Sequence, residues 1–542
     1  MRLLLISAAL FQAVLGLNIL VFLIGTNQFE RHTFEFLAQQ LALRHHNVIT
    51  VKPILIPEEP RLVKPKLHLV KEKTLKNLLP KDLYEPLEKA GDVVPWKNTY
   101  EIEEFDIPYW AAHNASCYKI LNSNLMDTLK KESLDVAIAY SGNPCQLAIT
   151  HVLGVSTIYF DQEGLSDETL VAAGAPLDLN HPSSHCSLPD FGLKRLRNGL
   201  CFLQEYLVQS GFPVLPGLLS ERYRTLDGPI TKMWTEDYTI KKRLLKQQSS
   251  LFFVNTDPLL EYPRALPPTV ISVGGLHIDH PKPLFAPWNT TIESAESGLI
   301  VVSLGTQANN AAMSEKQAKA IVGALSKFSQ YRIYWRIGPN MKLPGIEERS
   351  VPSHINLTAY LPQNDLLAHK SCKLLITNGG MSSLMEAISY GIPIVGIPLY
   401  GSNRHNLHKA VSKGLGIVVE KQALTEATLS KAMKTALDSP KYKTNAKDMS
   451  KEFKSRSSTP FNTALHYIEH VGKHHSAVFF TTESCRCLLS QLNIDLIGLL
   501  FVAFALPLYM TFVVFGKVLS KKTAAASETP KMKKEKESKK EK

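Results

Sequence analysis

Residues 373–406, KLLITNGGMSSLMEAISYGIPIVGIPLYGSNRHN, constrain the fold more than any other part of the chain. Leu374, Leu375 and Ile376 make an apolar run that stops at the pair Gly379-Gly380. A helical pattern follows at once, and a second apolar run, 392–399, ends at another polar turn. Strand, glycine turn, helix and strand in that order is how α/β proteins build a parallel sheet and aim backbone N–H groups at an anion. The plain alternative is a tight turn whose Ser382 and Ser383 cap the helix.

The same alternation recurs on both sides of this unit. Residues 17–24 form a short apolar run ending at Gly25, as a buried parallel strand does. Phe34, Leu37, Ala38 and Leu41 then recur at helical spacing, and 48–51 opens another strand, followed by LDVAIAY (134–140) and VSTIYF (155–160). This predicts an α/β fold with a doubly wound parallel sheet. Residues 186–250 are richer in helical patterns. A proline-rich stretch at 262–288 reads as a connection, and the alternation restarts at LIVVSLGT, 299–306. SEKQ at 314–317 is a capping-box pattern. RIYWRIG, KLLIT, IPIVGIPL and GIVVE supply further strands. Two α/β domains in one chain usually hold their ligand in the cleft between them.

At 542 residues the chain exceeds one typical core. Its net charge of +12 is concentrated: from Lys517 onward there are ten Lys against four Glu, which is half the excess. The remainder is nearly neutral for its size, which argues against nucleic acid as a partner. MRLLLISAALFQAVLG reads as a signal peptide, residues 1–16. Residues 496–515 carry 20 uncharged side chains and as a helix would rise about 30 Å, enough for one transmembrane helix. Asp495 before it and Lys517, Lys521 and Lys522 after it put the tail in the cytosol and the body in the lumen. KKEK at the end resembles a dilysine signal for retrieval to the endoplasmic reticulum. Sequons stand at Asn114, Asn289 and Asn356. The seven cysteines are scattered, and Cys485 and Cys487 have no second pair to complete a metal site.

No G-x-G-x-x-G follows a first strand and no G-x-x-x-x-G-K-[ST] exists, which excludes the nicotinamide, flavin and P-loop fingerprints. LPQNDLLAHK (361–370) with the glycine turn and EAISYGIPIVGIPL instead resembles the signature of the membrane-bound UDP-glycosyltransferases, the UDP-glucuronosyltransferase family. FFVNTDPLLEYPRALPP (252–268), VGGLH (273–277) and VVSLGT (301–306) extend the likeness. It implies two Rossmann-like domains facing a cleft (GT-B): an acceptor-binding domain over 17–275, a linker over 276–298 and a UDP-sugar-binding domain over 299–450. Helices over 451–495 would lead to the membrane, with the Lys-rich tail at 516–542. It also implies no metal and no cofactor, with a UDP-sugar as co-substrate. The other partners implied are a small lipophilic acceptor and, through the C-terminal helix, membrane lipid. A homo-oligomer is left open.

Carried over position by position, the resemblance puts Tyr360 where a tryptophan stacks on uracil and Gln363 beside base and ribose. Thr306 and the Gly379 and Gly380 amides would face the diphosphate at the helix start that carries Ser382, and Glu386 would accept ribose hydroxyls. Four places depart from the pattern. Asn378 replaces a histidine before the glycine pair. Ser402-Asn403 replace the Asp-Gln pair that holds the sugar. In a register anchored on Arg44-His45-His46, the catalytic histidine falls on Glu30, with His32 two residues away, and its aspartate falls on Tyr140. The expected reaction is inverting transfer of a sugar, conventionally glucuronic acid, with a carboxylate as base. The alternatives are a catalytically silent UDP-sugar-binding protein and a membrane-anchored carrier of apolar ligands.

Overall fold

The computed structural model describes residues 16–25, 31–57, 69–97, 103–140, 143–175, 180–182, 184, 192–201, 251–293, 295–306, 308–338, 342–475, 502 and 505–517. The leader, Glu30, residues 202–250, Cys485, Cys487 and the lysine tail lie outside them. The chain divides into two compact units, Met1–Ser484 and Cys485–Lys542. Both sheets belong to the first.

The first sheet has the order β3-β2-β1-β4-β5-β6-β7, with β1 Asn18–Phe22, β2 Asn47–Pro53, β3 Lys71–Leu75, β4 Val136–Tyr140, β5 Ser156–Asp161, β6 Leu251–Val254 and β7 Val270–Ser272. The second has the order β10-β9-β8-β11-β12-β13, with β8 Gly298–Ser303, β9 Tyr331–Arg336, β10 Ile355–Thr358, β11 Cys372–Thr377, β12 Ile394–Gly396 and β13 Gly416–Val418. Every strand pair is parallel. Parallel strands are covered on both faces, so they read as unbroken apolar runs: NILVF and VAIAY are buried almost throughout. β3, KEKTL, has no such run and lies at the sheet edge, where charge is tolerated and deters edge pairing. It is a strand the apolar pattern misses.

Each sheet reverses its strand order once, at β1/β4 and at β8/β11, and such switch points open a crevice at the strands' carboxyl ends. The capping box forms: Ser314 N donates to Gln317 Oε1 at 2.9 Å and Gln317 N to Ser314 Oγ at 3.3 Å, starting the helix Glu315–Ser326.

Within the first unit, the part built on the first sheet and the part built on the second, the first and second domains below, are tied at several points. Trp96 packs into the core of the second domain, its Nε1 donating to Asn309 O at 2.7 Å, while Gln317 Nε2 donates to Trp96 O at 3.0 Å. The buried Lys409 pairs with Glu261 at 2.7 Å. The helix Pro460–His474 returns to the first sheet, burying Ala464, Ile468 and Val471 among residues of β1, β4 and β5. A disulfide joins Cys117 to Cys145 within the first domain.

In the second unit, 505–517 is helical and exposes Leu506, Leu508, Phe512 and Phe515. Among the described residues no helix is long and apolar enough to cross a membrane. Residues 496–501, 503 and 504 of the expected span lie outside them.

Candidate functional site: the glycine turn and the strand ends

In the second sheet Thr377 is in register with Ser303, so the loops leaving β11 and β8 run side by side. They carry Asn378-Gly379-Gly380 and Gly305-Thr306. Gly305 has φ +90, and a Cβ there would come within 2.5 Å of Asn378 Nδ2, so the close contact and the backbone angle both require glycine. Arg336, at the end of β9, donates from Nη1 to Gly305 O at 3.0 Å. Burial lowers its pKa, but an arginine keeps its charge, so a fixed cation stands next to the loop. The sequence reading passed over Arg336; its only signal is an arginine closing the strand YRIYWR after the apolar-aromatic run Ile333-Tyr334-Trp335.

The glycine turn is more committed to the protein than expected. Gly379 N donates to Thr377 Oγ1 at 3.2 Å and Gly380 N to Asn378 Oδ1 at 3.3 Å, so an anion reaching these amides would compete with two side-chain acceptors. Gly379 has φ +93, and a Cβ on it would lie 2.4 Å from Leu407 Cγ and 2.7 Å from Asn403 O. Its glycine serves the packing of the helix Asn403–Ser412. Gly380 differs: a Cβ there would meet nothing nearer than Asn378 Oδ1 at 3.6 Å. The helix Met381–Tyr390 begins with no side-chain cap, so Ser382 and Ser383 do not play the capping role. Ser382 Oγ accepts from Asn255 Nδ2 at 3.4 Å, and Ser383 Oγ accepts from Gln363 Nε2 at 3.0 Å. An uncapped helix start is electropositive and suits an anion.

One turn into that helix, Glu386 accepts from Gln363 Nε2 at 2.7 Å. Its other oxygen lies 3.4 Å from Nε2 of His277, a buried residue that the motif VGGLH contains but to which sequence reasoning gave no role. Tyr360, half exposed, precedes the helix Gln363–Ala368; burial raises its phenol pKa and the Asp365 and Glu386 carboxylates raise it further. An exposed ring next to an amide and a carboxylate can stack on a planar base and bind vicinal hydroxyls.

On the first sheet, β1 and β4 are neighbours at the switch point. His32 is exposed at the start of the helix His32–Leu43, whose N-cap is the fully buried Arg31, with Nη1 3.3 Å from Ile24 O. Arg31 is a second cation that sequence reasoning missed. Tyr140 ends β4; its N–H donates to Gln146 Oε1 at 2.7 Å, and its ring packs edge-to-face on Phe34 with centroids 6.0 Å apart.

Among the sequons, Asn289 is the second residue of the helix Trp288–Glu293, its Oδ1 accepting from Thr290 N at 2.8 Å. Asn114 lies in the helix Glu103–Leu121 with a buried Oδ1, and Asn356 lies in β10 with Nδ2 3.4 Å from Ile333 O.

Loops of the first domain reach the cradle. Glu163, just after β5, accepts from Ser402 Oγ at 3.1 Å, and its carbonyl accepts from Asn406 Nδ2 at 3.0 Å. Asn406 Nδ2 also lies 3.4 Å from Gly379 O, which links these residues to the glycine turn. Asn403 is buried, and its Nδ2 has no hydrogen-bond partner among the described residues.

The sequence profile described as "UDP-glucoronosyl and UDP-glucosyl transferase" matches residues 39–528. Human 2-hydroxyacylsphingosine 1-beta-galactosyltransferase is 30% identical over 419 residues, 76% of this chain and 72% of that protein. Rabbit UDP-glucuronosyltransferase 2B13 is 29% identical over 402 residues, 72% of this chain and 71% of that protein. In fold, the glycotransferase of kitacinnamycin superposes with TM-score 0.57 at 15% identity, covering 84% of this chain and 99% of that one. Spinosyn forosaminyltransferase gives TM-score 0.51 at 13% identity, again covering 84% of this chain and 99% of the other. The architecture is thus GT-B-like, and with a family match over most of its length the chain belongs to the UDP-glucoronosyl and UDP-glucosyl transferases, enzymes that use UDP-sugars.

Proposed function

We propose that this UDP-glycosyltransferase moves a sugar, with inversion, from UDP to the hydroxyl of a small lipophilic acceptor. The observation that carries the donor half is the 2.7 Å contact of Gln363 with Glu386 beside Tyr360, one helical turn from the glycine pair. In this reading uracil stacks on Tyr360, ribose hydroxyls meet Glu386, and the diphosphate lies against the start of Met381–Tyr390 with Thr306. The acceptor oxygen gives its proton to a base as it attacks the anomeric carbon, and UDP leaves with the bonding electron pair, its charge held by the helix start. Glu30 is the proposed base and His32 the substitute, with Tyr140 where an orienting acid would be. Glucuronic acid is what the family resemblance implies for the sugar, while the named relatives include both a galactosyl and a glucuronosyl transferase. The body is assigned to the lumen of the endoplasmic reticulum, with 496–515 as a single-pass anchor.

One observation favours a silent UDP-sugar binder instead: the Tyr140 ring is packed on Phe34, where a His-Asp pair would need a carboxylate. The deciding experiment takes the full chain in detergent, measures UDP affinity by calorimetry, and follows UDP release from UDP-glucose, UDP-galactose and UDP-glucuronate with phenol and alcohol panels. Binding with acceptor-dependent release supports transfer. Binding with no release supports the silent reading, and absence of UDP binding removes the donor site. Protease added to intact microsomes tests the topology, which fails if the large body is digested.

A further inference from the structure

The loop that leaves β8 carries Gly305 and Thr306, and both domains hold it. Within the second domain, Arg336 donates from Nη1 to Gly305 O at 3.0 Å, and Asn310 Nδ2 donates back to Arg336 O at 3.2 Å. The first domain takes hold of Asn309, a few residues past Thr306. Trp96 Nε1 donates to Asn309 O at 2.7 Å, and Asn309 Nδ2 donates to Asp92 Oδ2 at 3.1 Å. Main chain and side chain of one loop residue are thus both bonded across the domain boundary.

The segment that grips the loop is itself fixed. Asp92 lies in the last turn of the helix Lys81–Val93, and Trp96 ends the single helical turn Val94–Trp96 that follows it. The second domain holds this backbone in return. Gln317 Nε2 donates to Trp96 O at 3.0 Å, and the buried Lys421 donates from Nζ to Pro95 O at 3.2 Å and to Leu399 O at 2.6 Å. Gln317 Oε1 also accepts from Ser314 N in the capping box that starts the helix after the loop. The Trp96 ring is 5% exposed and belongs to the core cluster that includes Ala308 and Met313 of the same loop. In a buried contact a donor or acceptor that loses its partner bears its full desolvation cost, so the loop has one favoured position while the contact is made.

We propose that Asp92 and Trp96 are positioning residues for the donor: from the first domain they set the loop that presents Gly305 and Thr306, so the diphosphate subsite is complete only while this contact is made. The inference rests on reading the glycine turn and this loop as a UDP-sugar site. In that reading uracil and ribose belong to Tyr360, Gln363 and Glu386, which stand on other elements of the second domain. Breaking the contact should therefore weaken the hold on the diphosphate and spare the nucleoside.

The test is calorimetry of the full chain in detergent with UDP and with uridine, alongside thermal melts. Asp92→Ala removes the acceptor for Asn309 Nδ2. Trp96→Phe keeps a ring in the core and removes the donor to Asn309 O. Each should weaken UDP binding about fivefold or more, the size of one lost hydrogen bond, and change uridine binding less than about twofold. Asp92→Asn keeps a side-chain oxygen that can accept from Asn309, so it should bind UDP within about twofold of wild type. A role in stability alone gives a different pattern: UDP and uridine affinities fall together, or both hold while the melting temperature drops. Either result overturns the proposal, as does an Asp92→Asn chain that loses as much UDP affinity as Asp92→Ala. If Trp96→Phe does not fold, the two Asp92 variants still decide. Wild type without UDP affinity is a separate failure: it removes the UDP-sugar site together with anything that positions it.

Discussion

His277 Nε2 stands 3.4 Å from Glu386 Oε1, joining the loop after β7 to the helix that starts at the glycine turn. Both side chains are buried, so the histidine ring lies against one carboxylate oxygen while Gln363 holds the other. The expected outcome is that Glu386→Ala lowers UDP affinity at least tenfold, about 1.4 kcal/mol. His277→Ala should give a smaller loss through misorientation. Calorimetry with UDP checks both, and a Glu386→Ala chain that binds UDP like wild type would make the cluster purely structural.

The two glycines of the turn should behave oppositely. Gly379→Ala places a Cβ against Leu407 and the Asn403 carbonyl at positive φ, so about 2 kcal/mol or more of stability should be lost. Gly380→Ala makes only an ordinary contact with Asn378 and should leave the melting temperature within about 2 °C, a shift worth under ~1 kcal/mol. If a diphosphate approaches that backbone closely, Gly380→Ala should still weaken UDP binding several-fold. Equal melting temperatures for the two variants would refute the packing account of Gly379.

Much of this was legible because parallel strands must be apolar and turns between strand and helix need glycine. β1, β4, β8 and β11 are visible as apolar runs, and Gly379-Gly380 as their punctuation. Gln363 and Glu386 are 23 residues apart and were found through family resemblance, with no spacing rule behind them. Glu163 and Ser402 meet across 239 residues, and the turn that aims Glu163 has no composition of its own, so nothing local announces the contact. Trp96, buried in the other domain's core, is invisible for the same reason. β3 was missed because an edge strand escapes the rule that reveals the inner ones.

Lys409 and Glu261 form a buried ion pair between the helix Asn403–Ser412 and the segment after β6, and Thr256 Oγ1 donates to the same Glu261 oxygen at 2.7 Å. Removing only the cation strands a buried carboxylate. Lys409→Met should cost about 3–5 kcal/mol, and adding Glu261→Gln should recover most of it while keeping the bond from Thr256. Denaturant melts of both variants read this directly. Equal destabilisation of single and double variants would show that lost packing, not stranded charge, sets the cost.

Burial holds His113 down to about 4, from an ordinary value of 6.5. Between those two values the unfolded chain carries a proton here that the folded chain does not, so stability falls as pH drops from 6.5 and the loss levels off below about 4. The effect is bounded by about 3 kcal/mol. His113→Gln should flatten the acid limb of the melting-temperature profile over that window, even if it lowers the midpoint elsewhere. An identical acid slope in the variant would assign the sensitivity to other groups.

The base is tested where β1 and β4 end. Tyr140 packs on Phe34 through its ring, so Tyr140→Phe should preserve packing and remove only the hydroxyl. If that hydroxyl merely steadies a carboxylate, turnover should fall less than about tenfold, whereas losing the base itself should cost at least ~100-fold. Glu30→Gln should therefore be the damaging change, with UDP affinity unaltered because the cradle belongs to the other domain. His32 starts the adjoining helix and is exposed, so His32→Ala should leave the fold intact and serves as the discriminating control. Abolished turnover in His32→Ala, with activity retained in Glu30→Gln, would move the base two residues along the chain. A wild type that binds UDP yet transfers to no acceptor calls for Glu30→His with Tyr140→Asp. Activity gained in that pair would show a site complete except for its proton acceptor. Continued silence would direct attention to Asn378, whose amide oxygen already accepts from Gly380 N.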